Sequence, residues 1–247
     1  MYTISLMVHQ IINIKKAFCI KGGVGVMKKT LIKLIIIPLF ALGLMGCSMI
    51  DKLNEKHRVE ELATKTNIDI RIKETNKEHK ENTDKLLDQI ESLYSSNPWL
   101  LNNVKRIVIC EDVLKETGTS GDYRIKNGTY AGMADIKTNT IYISARNYSE
   151  DVVIHESAHM FDASFGDELL SQNKDFYKMV NENYSSIDTI FDYPDRAKHN
   201  INEFFVNLVI DYTEKQDGKV LKQNFPNIYE YINGFAKKAM ANCKSNT

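Results

Sequence analysis

The 247-residue chain is 43% hydrophobic and formally neutral, with 32 basic against 32 acidic side chains, enough apolar content for one globular domain with appendages. Neutrality averages two unlike parts: residues 1–47 hold six lysines and no acid, which leaves the other 200 residues with 26 basic against 32 acidic groups, a balance of −6. A mature chain this acidic lacks the clustered Lys and Arg of a phosphate-backbone binder, so no nucleic-acid partner is expected.

Met27-Lys28-Lys29 opens a short basic region, followed by the apolar run Leu34 to Leu44 and then Leu44-Met45-Gly46-Cys47. The run is too short for a stable membrane span, and with a small residue at the cleavage point it reads as a secretory signal. Its ending resembles the bacterial lipobox, a pattern in which the cysteine is lipidated and becomes residue one. Lys21-Gly22-Gly23 can be encoded by a purine-rich run of the ribosome-binding type, which places the expected translation start at Met27. Residues 1–26 are then a mis-called upstream extension, residues 27–46 a lipoprotein signal peptide, and Cys47 the membrane anchor. The other cysteines of the mature chain, Cys110 and Cys243, form no CxxC pair and are taken as structural.

Residues 47–97 are highly charged, and their spacing predicts a solvated tether followed by an amphipathic helix packing through Leu86, Leu87, Ile90 and Leu93, with Tyr94 beside them. Val104 to Cys110 is a β-branched run that predicts a buried strand, and Ile141 to Ser144 a second. Gly121, Gly128 and Gly132 mark turns and close backbone approaches. Gly132 to Asp135 and Ile141 to Ser144, joined by Lys137-Thr138-Asn139, predict a hairpin just ahead of the next element.

That element is Val152-Val153-Ile154-His155-Glu156-Ser157-Ala158-His159-Met160-Phe161-Asp162, an HExxH sequence in a helix-length apolar run. Residues four apart lie one above the other on a helix, so His155 and His159 can aim two imidazoles at one point, where a zinc ion would sit. Glu156 then lies beside the metal as general base for a water activated there. Ser149 is the expected N-cap, with Glu150 and Asp151 in the first turn. Ile154, Ala158 and Phe161 recur on a separate face that anchors the helix in a core.

Further on, Asp167 to Ser185 predicts another helix, and His199 to Tyr212 a buried one carrying Phe204, Phe205, Leu208 and Val209. Glu203 interrupts that apolar pattern. A buried carboxylate needs a cationic partner or a metal, the alternative being a solvent-facing acid in the first turn.

With these residues in view, the chain from about Trp99 to Ala239 resembles the catalytic domain of anthrax lethal factor and the related Pro-Pro endopeptidases, a family of gluzincin metallopeptidases. The likeness lies in the Asp135 to Ser144 hairpin, the extended form His155-Glu156-x-x-His159-x-x-Asp162, the segment Glu203-Phe204-Phe205 and the stretch Phe225-Pro226-Asn227-Ile228-Tyr229-Glu230-Tyr231-Ile232. It implies an α+β, zincin-like metallopeptidase domain over residues 98–247, with a small mixed sheet, an edge strand beside the HExxH helix and a mostly helical C-terminal lobe. It also implies Glu203 as the third zinc ligand with His155 and His159. Asp162 lies seven residues beyond His155, about 10 Å along the helix axis at 1.5 Å per residue, too far to share one tetrahedral ion. It is taken to orient a histidine instead.

Two positions depart from the family. Ala158 stands where it has glycine, a small residue still. A tyrosine seven residues before the glutamate, which donates to the transition-state oxyanion in the family, is replaced by Arg196. Tyr193, ten before, fills the role if the loop carries a three-residue insertion, with Arg196 and His199 as the alternatives. The expectation is a monomeric zinc endopeptidase, exported and lipid-anchored, acting on extracellular or envelope proteins. The competing expectation is a catalytically inactive surface lipoprotein that keeps the fold as a binding module. A preference for proline follows only by analogy with one branch of the family.

Overall fold

The computed structural model describes residues 52–118, 130–191, 199–214 and 216–245. The stretch expected as a signal peptide, Cys47, Gly121, Gly128, Tyr193 and Arg196 lie outside these residues. Helix α1 covers residues 52–66, followed by β1 (Asp69–Ile72), α2 (Lys80–Ser96), β2 (Arg106–Cys110) and α3 (Val113–Thr117). The hairpin β3 (Gly132–Asp135) and β4 (Thr140–Ser144) leads into α4 (Val152–Asp162), then α5 (Lys174–Phe191), α6 (Ile201–Thr213), α7 (Asp217–Asn224) and α8 (Pro226–Ser245). The result is a mixed α/β molecule, mostly helical, with one small mixed sheet in the order β1-β2-β4-β3.

β1, β2 and β4 run parallel, and β3 returns antiparallel to β4 as the outer strand. β2 and β4 occupy the middle of the sheet, which is why both read as nearly unbroken apolar runs. Because strand side chains alternate, Ile107, Ile109, Ile141 and Ile143 join the main core, while Val108 and Cys110 turn to the other face with Val113, Tyr142 and Met133. Cys110 is a buried free thiol, and burial pushes it up to about 12. In the hairpin turn Asp135 accepts from the Lys137 backbone N–H (3.1 Å) and the Thr138 hydroxyl (2.6 Å), and Asn139 takes φ +54°, which asparagine tolerates.

The stretch expected as a tether contributes structure of its own. β1 pairs with β2 over Asp69 to Ile72, and Leu62 of α1 is buried in the main core. The charged residues there point outward: Asp69 accepts from both Arg71 and Arg106, whose guanidinium groups hold its carboxyl below the usual carboxylate range. Leu86, Leu87, Ile90 and Leu93 of α2 are buried as their spacing requires.

α4 starts later than its sequence signals imply. Ser149 to Asp151 precede the first helical residue, and Asp151 at the N-cap position makes no side-chain cap. The end is completed from α2: the Gln89 side chain accepts from the Val153 N–H (3.3 Å) and donates to the Ser149 carbonyl (2.9 Å). A neighbouring helix thus supplies the partner that a local cap would have provided. α6 does have a local cap, the Asn200 side chain accepting from the Asn202 N–H at 3.0 Å.

α4 and α6 pack against each other. Beneath them Trp99 meets Phe161 edge-on (4.8 Å between centroids), and Phe161 stacks on Phe205 (6.3 Å), which in turn meets Phe176 (5.1 Å). Each such pair adds about 0.5–1.5 kcal/mol beyond its burial, so the two helices share a stiff aromatic floor.

Candidate metal centre

The floor matters because the polar residues stand on it. His155 and His159, one turn apart on α4, present Nε2 to Glu203 in the first turn of α6. His155 Nε2 lies 3.4 Å from Glu203 Oε2, and His159 Nε2 lies 3.5 Å from Oε1. The carboxylate therefore straddles both rings.

These separations are wider than direct pairing and leave room for a metal ion. A charge-assisted N–H···O bond would close to about 2.7–2.9 Å. A tetrahedral ion with Zn–N and Zn–O bonds near 2.0–2.1 Å holds its ligand atoms about 3.3–3.4 Å apart, and each ring nitrogen keeps about that spacing to a different oxygen of the Glu203 carboxylate. One nitrogen from each histidine and one Glu203 oxygen all lie within 4.8 Å of one another, and these are the described residues able to hold a metal ion as a group. The donor set, two neutral imidazoles and a carboxylate, suits zinc. The three side chains keep 16%, 20% and 16% of their surface exposed, so one side stays open to water or to a substrate.

Carboxylates surround His159. Burial disfavours the imidazolium form of His159, but the carboxylates of Glu203, Glu156 and Asp162 outweigh that and raise its pKa above the ordinary histidine value.

Glu156, next along α4 from His155, is 7% exposed and lies against the outer strand. Gly132, at the start of β3, comes so near that a Cβ there would stand 2.6 Å from Glu156 Cγ and 2.7 Å from Oε1. The glycine's missing side chain is the space the Glu156 carboxylate occupies. The sequence marks Gly132 as a close approach; what it approaches is visible only in the fold.

Asp162 does not hold a histidine. Its two oxygens accept from the Ser171 backbone N–H and the Ser171 hydroxyl, both at 2.7 Å, because α4 ends where the short 3₁₀ turn Leu170–Gln172 comes back over it. Burial pushes this carboxyl up to about 6. His199 stands exposed just ahead of α6. Sequence reasoning missed Ser171, Asn202 and Gln89, none of which sits in a local pattern of its own.

No family model matches the chain, and no curated protein matches it. Among solved structures, the Pro-Pro endopeptidase PPEP-2 from Paenibacillus alvei superposes with a TM-score of 0.43 at 16% identity, covering 72% of this chain and 98% of that one. So loose a superposition assigns no family, and the site stands on its own geometry.

Proposed function

We propose that the chain is a zinc-dependent endopeptidase, with His155, His159 and Glu203 holding one zinc ion and Glu156 as general base. The observation that carries this is the Glu203 carboxylate facing both Nε2 atoms at 3.4 and 3.5 Å, with a second carboxylate one residue from the first histidine. Zinc bound there would polarise a scissile carbonyl and bring the pKa of water toward neutrality. Glu156 takes the proton of the attacking water and returns it to the departing amine. β3, outermost in the sheet and packed on α4, offers its edge to an extended peptide by strand addition beside that carboxylate. Tyr193 is the proposed donor to the oxyanion, with Arg196 and His199 as alternatives that single substitutions separate.

The proposed setting is outside the cytoplasm, as a monomer anchored by lipid on Cys47, with surface, secreted or envelope proteins as substrates. Cys47→Ser should release the protein from the membrane fraction; finding the wild type chiefly in the cytosol would overturn this part. Glu156→Gln should abolish cleavage of a peptide library while zinc content stays unchanged. A wild type that cuts nothing across a broad library would favour the non-catalytic binding module.

A further inference from the structure

The hydrogen bonds of Asp162 run past Ser171 to the neighbour of a ligand. Asp162 is 1% exposed and Ser171 wholly buried, and the Ser171 hydroxyl that meets Asp162 at 2.7 Å also lies 3.1 Å from the side-chain oxygen position of Asn202. One hydroxyl has one proton, and a carboxylate can only accept, so that proton goes to Asp162. The contact with Asn202 is then satisfied by its amide turned to donate to Ser171 Oγ, an orientation set by the network. The chain runs from the Asn202 amide through the Ser171 hydroxyl to the Asp162 carboxylate. Its ends are the last residue of α4 and the residue preceding Glu203 on α6.

We infer that Ser171 and Asn202 are positioning residues that fix Glu203 of α6 relative to His155 and His159 of α4. This rests on the metal reading above. Glu203 sits in the first turn of its helix, and a rotation of that turn would sweep its carboxylate away from the rings. The Ser171 turn is itself braced: the Tyr231 hydroxyl of α8 donates to the Leu170 carbonyl at 2.9 Å, and the turn packs on α6. A network with every member satisfied holds one arrangement; partners bonded directly to a ligand typically carry about 10–100-fold in metal affinity, and a brace acting through the helix is expected at the low end of that range.

The test is zinc affinity, by competition with a chromophoric chelator, together with the visible spectrum of the cobalt-substituted protein. Asn202→Ala leaves the buried Asp162–Ser171 pair intact and should keep the metal-free melting temperature, yet weaken zinc binding by about tenfold and alter the cobalt bands. Ser171→Ala should cost as much or more. Asp162→Asn is the conservative control: its amide can donate to Ser171 and the chain reverses, with Asn202 turned to accept, so affinity should stay within about threefold of wild type on the same scale. An Asn202→Ala protein with unchanged zinc affinity and cobalt spectrum overturns the inference and leaves the metal reading standing. A wild type that binds no zinc overturns both.

Discussion

Adding a single methyl group at Gly132 tests how Glu156, the proposed general base, is held. The new Cβ would lie 2.6 Å from Glu156 Cγ, 2.7 Å from its Oε1 and 2.7 Å from Val152 Cγ2. Unstrained carbon atoms meet at about 3.5–4.0 Å, so roughly 1 Å must be found. Val152 is buried and cannot swing aside, so the movement falls on the Glu156 side chain or on β3. Overpacking of this kind costs about 1–3 kcal/mol of stability. A 1 Å displacement of a reacting group costs about 10²-fold in rate, or about 2.7 kcal/mol of barrier. Gly132→Ala should therefore lower kcat on a cleaved library peptide by about 10²-fold while retaining zinc. Pairing it with Val152→Ala separates the two clashes, because the added methyl takes up the space that Val152 gives up. The double variant should recover melting temperature without recovering rate. A Gly132→Ala protein with full activity would refute the placement of Glu156 against the strand.

Asp162 supplies a pH signature in the metal-free protein. Its folded pKa is raised to about 6 from 3.8, so the folded state holds that proton more tightly, and the group's contribution to stability is lost as pH rises through about 6. Asp162→Asn should raise the metal-free melting temperature at pH 8 and match wild type near pH 3, below both pKa values; a difference independent of pH would contradict the buried-carboxyl account. Gly234 lies in the middle of α8, and a methyl carbon placed on it would have nothing within 4 Å, so Gly234→Ala should stabilise by about 0.5–1 kcal/mol in chemical denaturation. A loss of stability there would mean the helix face is occupied.

Much of the site is legible in the sequence because it is periodic. His155 and His159 share a helix face through their spacing, and Glu203 stands out as the acid in an apolar helix. The hidden parts are long-range. β1 escapes a sequence reading because Asp69-Ile70-Arg71-Ile72 alternates within a charged stretch, and only Ile70 is deeply buried. The start of α4 is displaced from its local signals because its missing cap comes from Gln89, about sixty residues earlier. Proximity along the helix points Asp162 at a histidine, whereas the chain folds Ser171 back onto it. Gly132 is recognisable as a close approach, since a glycine at a strand start signals that something needs the room.

The most direct test of the central claim is metal analysis of the purified wild-type protein beside Glu203→Ala. The wild type should carry one zinc per chain and Glu203→Ala should lose it under the same dialysis, with both proteins folded. Zinc retained undiminished without the Glu203 carboxylate would contradict the claim.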